Sequence, residues 1–411
     1  MPRRHDEYLV SVDIGSATTR AAVACWRADG DLILEGYAEA PARGVAKGII
    51  VDAAEAAEGL GQAIEQAANL ARVRVCTVLF ALATPFARGF NSRGCIGIAS
   101  EDKLVRGTDA AAALAAANRV SLPADRTIAE VYSQGFTVDE VRNVRNPVGM
   151  VCGRLEAELH VVSDSLSAHA NARQAIKKAG CHLELAIFAP LAAAEAVLSP
   201  EEKRLGSAHV DVGAAKTTVS VYANGYPRYV RVLPIGAQHI TNDLAMGLSI
   251  PLAEAEALKQ RCGITDARRP RGGEPAETVD VTLPDGSGAQ AIPLWRIGLI
   301  TRARVEEIFE LVCKELDRSG VAAAAAGRVV LTGGFCRMAG ALAAAHRVLH
   351  RPVRLGCVEM GTVLSQFHSD PAHAVVLGTL ARGVYHREQR HDRRFEERGL
   401  RTMFKRVAGW L

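Results

Sequence analysis

Two stretches of the chain show the same succession of apolar and polar positions. In the first stretch, short apolar runs separated by turn residues predict three strands, an amphipathic helix and a buried strand, over residues 8–14, 20–26, 31–37, 52–71 and 73–81. In the second stretch, a similar order predicts strands, helices and a buried strand over residues 208–212, 217–222, 226–233, 236–246, 251–262, 294–318, 328–331 and 338–349. We therefore predict an α/β fold with two related lobes.

The pattern changes between residues 83 and 166. In this segment one Ala-rich helix, over residues 109–120, lies among strands predicted near residues 94–98, 128–138 and 155–162. The change of texture inside the first series of elements predicts a small α+β subdomain that is inserted in the first lobe.

Three further stretches complete the chain. Charged residues after Ser199 and Pro200 predict a linker between the lobes. The stretch 266–288 is rich in Pro, Gly and Arg, and predicts a loop and a hairpin with little core of their own. Residues 371–385 close the folded part.

The surplus of positive charge is concentrated at the end of the chain. The net charge is +4 over 411 residues, and residues 387–411 hold eight basic and four acidic side chains, which accounts for the whole surplus. The remainder is close to neutral. This balance argues against a general nucleic-acid-binding surface, and we expect no nucleic-acid partner.

Cysteine usage and apolar runs favour a protein that folds in the cytoplasm. The nine Cys residues are scattered without a C-x-x-C pair, so neither a zinc site nor a disulfide framework is indicated. The first residues lack the apolar segment of a secretory signal. No apolar run approaches the roughly 18 residues that a membrane span needs.

Each lobe carries the same turn chemistry after its first strand. The residues concerned are Asp13, Gly15, Ser16 and Thr18 in the first copy, and Asp211, Gly213, Lys216 and Thr217 in the second. Glycine lets the backbone approach an anion, and turn N–H groups and hydroxyls can donate to it. A carboxylate at the strand end can hold a hydrated divalent cation, which makes Asp13 and Asp211 candidate metal ligands. Two copies predict two lobes that face one nucleotide.

A third glycine site follows the buried strand near residue 331. Gly333 and Gly334 precede Phe335 and a predicted helix. Backbone without side chains at this point would admit a flat base and a ribose beside a helix N-terminus. A tight strand-to-helix turn is the alternative explanation.

The order of these three sites resembles the actin/DnaK/hexokinase superfamily, in which two ribonuclease-H-like lobes close on ATP. Within it the chain resembles the FtsA family of bacterial cell-division proteins, through residues 41–48 (PARGVAKG), residues 145–150 (RNPVGM) and the position of the insert at 83–166. The resemblance covers nearly the whole length. It implies ATP and Mg²⁺ as cofactors, and an actin-like fold with the small α+β subdomain inserted in the first lobe.

The resemblance also implies further site residues. Glu256 and Lys259 match helix residues that approach ribose and adenine, and Gly236 is assigned to the same nucleotide site. Residues 190–192 and 374–378 match the two connections between the lobes. On spacing alone, Glu256 and Lys259 are equally well explained as an ordinary i,i+3 salt bridge on an exposed helix face.

Four positions depart from the family pattern. Ala214 and Ala215 replace glycines of the second phosphate loop, and Thr218 replaces an Asp. Their methyl groups should restrict the turn, while Lys216 could offer a point charge to phosphate. Ala189 stands where related ATPases place the Glu that orients the attacking water. We therefore expect at most a slow ATPase, in which the nucleotide acts mainly as an assembly ligand.

The last fifteen residues predict an amphipathic membrane-binding helix. Its apolar face contains Leu400, Met403, Phe404, Val407, Trp410 and Leu411. The basic residues around that face are Arg398, Arg401, Lys405 and Arg406. Such a helix can lie in the headgroup plane, where anionic lipids attract its cations. A terminal helix docked on the protein's own core is the alternative.

The resemblance implies a protein that polymerises beneath the cytoplasmic membrane at the division site and tethers FtsZ to it. The FtsZ C-terminal tail would dock on the small subdomain of the second lobe, and later division proteins would contact the insert. Three alternatives remain: an assembly factor of the pilus or shape-determining type, a small-molecule kinase of the same superfamily, and a division-related paralogue.

These observations divide the chain into eight segments. In order they are two parts of the first-lobe core (1–82 and 167–200) around the insert (83–166), the second-lobe core (201–243 and 301–385) around its small subdomain (244–300), a charged linker (386–396) and the membrane-binding helix (397–411).

Overall fold

The computed structural model describes residues 7–264, 268–270, 275–282, 289–321, 327–364 and 370–388. The predicted membrane-binding helix at 397–411 and most of the preceding linker lie outside these residues. The strands within them are β1 (Glu7–Ile14), β2 (Thr18–Trp26), β3 (Leu32–Pro41), β4 (Val45–Ala46), β5 (Ile49–Ile50), β6 (Thr77–Leu82), β7 (Arg88–Gly97), β8 (Arg126–Val138), β9 (Val141–Val144), β10 (Arg154–Ser165), β11 (His182–Phe188), β12 (Ser207–Val212), β13 (Thr217–Ala223), β14 (Tyr226–Leu233), β15 (Thr278–Thr282), β16 (Ala289–Pro293), β17 (Arg328–Thr332), β18 (Val353–Leu355) and β19 (Gly361–Thr362).

The helices pack on both sheets and join the lobes. They are α1 (Ala53–Ala71), α2 (Gly107–Ala117), α3 (Leu166–Lys178), α4 (Ala189–Val197), α5 (Pro200–Leu205), α6 (Ala237–Leu248), α7 (Leu252–Cys262), α8 (Leu294–Arg318), α9 (Ala341–Leu349), and a stretch at 374–388 that we call the final helix. Local chemistry explains where α1 begins: Asp52 accepts hydrogen bonds from the N–H groups of Ala54 (2.7 Å) and Glu55 (3.1 Å).

The two lobes contain sheets of the same topology. In the first, β3, β2 and β1 pair antiparallel and β6 and β11 continue in parallel. In the second, β14, β13 and β12 pair antiparallel, and β17 and β18 continue in parallel. This repetition confirms the two related lobes and the α/β class predicted from the sequence.

The inserted subdomain joins the second sheet. Strands β7, β10, β8 and β9 form its antiparallel ladder, with α2 packed on one face. At its edge β7 pairs with β14 of the second lobe through Arg88 and Arg231, so that nine strands form one sheet. The insert interrupts the first lobe in sequence, but its strands extend the sheet of the second lobe.

Both ends of the insert are held together at its base. The side chain of Asp164, at the end of β10, accepts a hydrogen bond from the backbone N–H of Thr84 (3.2 Å) and another from the Thr84 hydroxyl. Asp164 is fully buried. Because Thr84 precedes β7 and Asp164 lies at the end of β10, this contact holds the first and last residues of the insert together.

Among the residues that the structure describes, four apolar clusters form the core. One lies in the second lobe, one behind the first-lobe sheet, and one inside the insert. The fourth lies between the lobes and includes α4 and the final helix, which are the two interlobe connections. The lobes are thus packed together through apolar contacts as well as joined by the chain.

Several sequence-based assignments need correction. Strand β7 begins six residues before the predicted 94–98, and β6 begins four residues after the start of the predicted 73–81. The charged residues after Ser199 are not a linker: they form α5, in which Ser199 accepts from the Glu202 N–H and Glu202 accepts from the Ser199 N–H. Ser199 and Glu202 at this spacing, with Pro200 as the first helical residue, are a capping box that the sequence already displays. After β17, residues Gly334–Arg337 form a 3₁₀ turn, and α9 begins three residues later than predicted.

Candidate functional site

The predicted first phosphate loop is the turn between β1 and β2. The N–H of Gly15 donates to the carbonyl of Thr18 at 3.0 Å and closes the turn. A Cβ atom on Gly15 would lie 2.7 Å from that carbonyl oxygen, so the turn requires glycine. Asp13, Gly15, Ser16 and Thr18 all line one cavity of 460 Å³ between the lobes.

The predicted second phosphate loop repeats this geometry between β12 and β13. The N–H of Gly213 donates to the carbonyl of Lys216 at 2.9 Å, over the same three-residue interval. Ala214 and Ala215 are accommodated in the turn and line the same cavity. The sequence departures at these two positions therefore leave the loop closed.

The start of α6 braces the second loop. The N–H groups of Ala237 and Gln238 donate to the carbonyls of Gly213 (2.9 Å) and Ala214 (2.7 Å). A Cβ on Gly236 would lie 2.5 Å from the Gly213 carbonyl oxygen. Gly236 thus permits close contact between helix and loop, and it is not among the cavity-lining residues.

Thr217 is the second predicted residue that the cavity does not reach. Its side chain is fully buried, and its hydroxyl donates to the carbonyl of Ile235 at 2.8 Å. This hydrogen bond ties β13 to the segment before α6, so Thr217 supports the loop from behind.

Two carboxylates face the cavity from opposite lobes. Burial raises the pKa of Asp211 to about 6, and the nearby charge of Asp13 acts in the same direction, while Thr332 donates to the carboxylate at 3.2 Å. Burial likewise raises the pKa of Asp13, against the charges of Arg20 and Lys216. Each carboxylate therefore gains stability from a cation in the cavity.

Lys216 crosses the cavity from the second lobe to the first. Its ammonium donates to the carbonyl of Ala83, which precedes Thr84 at the base of the insert. Burial lowers the pKa of Lys216, and the charges of Asp13 and Asp211 oppose that shift. The side chain therefore lies within electrostatic range of both predicted metal ligands.

The third glycine site forms another wall. Gly333 has a φ of 93°, and a Cβ there would lie 2.4 Å from the Val212 carbonyl oxygen, so neither the backbone conformation nor the space admits another residue. Gly333, Gly334 and Phe335 line the cavity. Phe335 also packs edge-to-face on Phe309, with 5.8 Å between ring centroids, which anchors this wall to the second-lobe core.

Glu256 and Lys259 on α7 complete the opposite wall. Their side chains pair at 2.7 Å, and both bind the hydroxyl of Thr241 on α6, at 2.6 Å and 2.9 Å. Lys259 is only 8% exposed. The pair is therefore the i,i+3 salt bridge that the spacing allowed, with a buried ammonium and a Glu256 side chain that is 37% exposed, and both residues line the cavity.

Sequence reasoning missed a charged bridge across one side of the cavity. Arg20 on β2 donates to Glu39 on β3 at 3.2 Å, and Arg337, after Phe335, donates to Glu39 (3.3 Å) and Asp370 (2.9 Å). Both arginines line the cavity, together with Gln260, Met338, Ala372 and Val375. Arg337 follows the Gly-Gly-Phe turn closely in sequence, and this position could have identified it as a cavity residue. No sequence pattern identified Arg20 as one.

The donor set for a metal is limited to carboxylates that already have cationic neighbours. Asp13 lies 3.9 Å from Arg20 and within range of Lys216. Across the described residues, no group of three or more His, Cys, Asp or Glu side chains is arranged to hold a metal ion. Any Mg²⁺ would have to rely mainly on phosphate oxygens and water.

Ala189 and Pro190, at the start of α4, line the cavity beside the two loops. Neither side chain can accept a proton or orient a water molecule.

Within the described part of the chain, no helix is long and apolar enough to cross a membrane.

Comparison with known proteins follows the same division of the chain. The family model for the cell division protein FtsA matches residues 208–378, and the model for the SHS2 domain inserted in FtsA matches residues 87–163. The cell division protein FtsA of Pseudomonas aeruginosa is 32% identical over 376 residues, covering 92% of this chain and 89% of that protein.

Solved structures agree on the fold. The PilM-PilN type IV pilus biogenesis complex matches with a TM-score of 0.64 at 18% identity, over 93% of this chain and 99% of the matched chain. MreB5 of Spiroplasma citri bound to ADP matches with a TM-score of 0.51 at 13% identity, over 91% and 95%. The fold is therefore actin-like, as predicted, and the chain belongs to the FtsA family of cell-division proteins.

Proposed function

We propose that this chain binds ATP as an assembly ligand, polymerises on the inner face of the cytoplasmic membrane, and tethers FtsZ filaments to it. The observation that carries the proposal is the cavity between the lobes, which both phosphate loops, the Gly333 turn and the Glu256–Lys259 pair line together. Backbone N–H groups near Gly15 and Gly213 would face the phosphates, and the Gly333 turn would admit the base.

The lining of the cavity favours binding over hydrolysis. Asp13, Asp211 and Glu256 are its carboxylates, and the structure pairs Asp13 with Arg20, Asp211 with Thr332, and Glu256 with Lys259. The resemblance places Ala189 where related ATPases carry the Glu that orients the attacking water, and a methyl group cannot perform that role. Turnover would accordingly be slow, and the bound nucleotide would hold the lobes together.

Membership of the FtsA family supports the binding partners that we propose for this chain. The FtsZ C-terminal tail would dock on the small subdomain of the second lobe (residues 244–300), and later division proteins on the insert. Copies of the chain would associate head to tail, because only a heterologous contact continues into a filament. Anionic lipids would bind the amphipathic segment 397–411 at the division site.

Removing the amphipathic segment should abolish membrane binding. We expect the full chain to pellet with liposomes that contain anionic lipid, and a chain that ends at Arg394 to remain in the supernatant, because both the apolar face and its cations are lost. Neutral liposomes serve as the control for the electrostatic contribution. Equal pelleting of the two chains with anionic liposomes would refute the anchor.

Replacing Lys259 with alanine should weaken nucleotide binding. The ammonium that organises Glu256 and Thr241 would be lost, and we expect the dissociation constant for a fluorescent ATP analogue to rise about tenfold. Lys314, exposed on α8 away from the cavity, provides the matched control as Lys314→Ala. If both variants bind the analogue as the unmodified chain does, α7 is not a nucleotide wall.

Two measurements distinguish the alternatives. Recruitment of an FtsZ C-terminal peptide supports the division role, and failure to recruit it favours an assembly factor of the pilus or shape-determining type. Turnover in a screen of phosphoryl acceptors would instead favour a kinase, which needs a catalytic carboxylate in the cleft.

A further inference from the structure

Lys216 has an unusual position for a residue of a phosphate loop. It belongs to the turn of the second lobe, yet its ammonium donates to the Ala83 carbonyl of the first. The turn at Gly48 lies beside its stem: a Cβ on Gly48 would be 3.4 Å from Cδ and 3.7 Å from Nζ of Lys216. The neighbouring lobe therefore holds the side chain in an extended path across the cavity.

Three carboxylates act on this ammonium. Burial lowers the pKa of Lys216, while the charges of Asp13, Asp211 and Asp164 oppose that shift and favour the ammonium. Asp13 and Asp211 are also the two groups that the sequence assigned to a divalent cation. A fixed positive charge of the protein therefore already lies where a cation would be attracted.

The charge balance of the cavity changes accordingly. Without Lys216, the carboxylates of Asp13 and Asp211 and the guanidinium of Arg20 would leave one net negative charge beside the phosphates. With Lys216 charged, these four groups are neutral. Nucleotide phosphates can then enter without a metal ion to offset repulsion from the two carboxylates.

We propose that Lys216 supplies the positive charge that relatives with a glycine-rich loop would obtain from a bound divalent cation, so that this chain binds nucleotide largely independently of Mg²⁺. A lysine ammonium suits this role because it is a compact charge with three donors, able to contact a phosphate oxygen while retaining the Ala83 carbonyl. The inference rests on the proposed nucleotide site, and it adds that Lys216 supplies the positive charge beside the phosphates.

Titration of a fluorescent ATP analogue into the full chain tests the inference, with either Mg²⁺ or EDTA present. For the unmodified chain we expect the two dissociation constants to agree within about threefold, a small difference on the affinity scale. For Lys216→Met, which keeps the length of the side chain and removes its charge, we expect binding in EDTA to weaken about tenfold or more. Mg²⁺ should restore much of that loss, and Lys216→Arg should retain binding in EDTA.

Lys103→Met is the matched control, because Lys103 also donates to a backbone carbonyl, that of Ile98 at 2.8 Å, but lies in the insert away from the cavity. A tenfold or greater loss by the unmodified chain in EDTA would overturn the inference and leave the nucleotide site intact. Absence of binding in both conditions would overturn the site as well. The comparison for the unmodified chain needs no variant, so it holds even if Lys216→Met folds poorly.

Discussion

Replacing Arg382 with methionine is expected to lower the free energy of unfolding by about 3–5 kcal/mol. Arg382, on the final helix, donates to Glu130 of the insert (3.0 Å) and to Glu195 of α4 (3.2 Å). Its guanidinium also stacks on the rings of Tyr132 (4.6 Å) and Tyr385 (4.8 Å). The variant would leave two carboxylates in a largely buried site without their cation, which costs more than the pair itself contributes.

The loss should depend on pH in a defined direction. Although burial acts to raise the pKa of Glu130, contacts with His386 and Arg382 hold it below its usual value. In the unmodified chain, Glu130 thus stabilises the fold above its unfolded pKa of about 4.3, and this stabilisation is lost as the pH falls through the lower folded value. In the variant, burial without Arg382 raises the pKa values of both carboxylates, so they take up protons and the deficit narrows as the pH falls from about 8 to about 5.

Urea unfolding at several pH values measures this effect. Arg93→Met is the control, since Arg93 pairs with Glu158 at 3.0 Å while remaining 68% exposed, and such a surface pair contributes about 0–1 kcal/mol. If Arg382→Met lowers the free energy of unfolding only as much as this control does, or by an amount that does not change with pH, the buried-charge explanation is contradicted.

Replacing Gly378 with alanine is expected to destabilise the chain by about 2–3 kcal/mol, although alanine favours a helix by about 1 kcal/mol. Gly378 lies where the final helix crosses α4. A Cβ there would lie 2.4 Å from the carbonyl oxygen and 2.7 Å from the carbonyl carbon of Ala192. Backbone atoms cannot move aside as a side chain can, so the two interlobe connections would have to separate.

The thermal midpoint reports this change, and Gly61→Ala provides the matched control. Gly61 also lies within a helix, α1, but a Cβ there meets no atom within 4 Å. We expect Gly61→Ala to be neutral or to stabilise by up to about 1 kcal/mol. If both alanine variants unfold at or above the midpoint of the unmodified chain, the crossing is not as tight as its geometry implies.

Sequence reasoning was most successful where a local pattern carries the information. The two predicted phosphate loops are short turns between adjacent strands, and their Asp-x-Gly pattern is complete within eight residues. That Asp13, Gly15, Asp211 and Gly213 face one cavity could therefore be predicted, while their binding of phosphate stays a prediction. The long amphipathic helix α8 was predicted with its observed bounds, because its 3.6-residue period is sustained over its length.

Contacts between distant residues could not be predicted in the same way. Arg337 meets Glu39 across 298 positions of sequence, and Arg382 meets Glu130 across 252. No periodicity or spacing links such pairs, since the packing of the lobes brings them together. A cavity of 1110 Å³ beside Arg382, bordered by the insert, both lobes and the final helix, was missed for the same reason.

The continuous nine-stranded sheet has a mechanical consequence. The insert is fixed to the first lobe where Glu130 on β8 accepts a hydrogen bond from the backbone N–H of Phe188 (2.9 Å), and to the second through the pairing of Arg88 with Arg231. A rotation between the lobes must therefore strain one of these attachments. The attachment to the second lobe combines the single residue pair between β7 and β14 with hydrogen bonds from the side chains of Asn91 and Gln134 to the carbonyls of Arg228 (3.3 Å) and Pro227 (2.5 Å). Parting the two strands would expose unpaired N–H and C=O groups at both edges. Movement at the cavity between the lobes would then change the hydrogen-bonding surface that is available along β7 and β14.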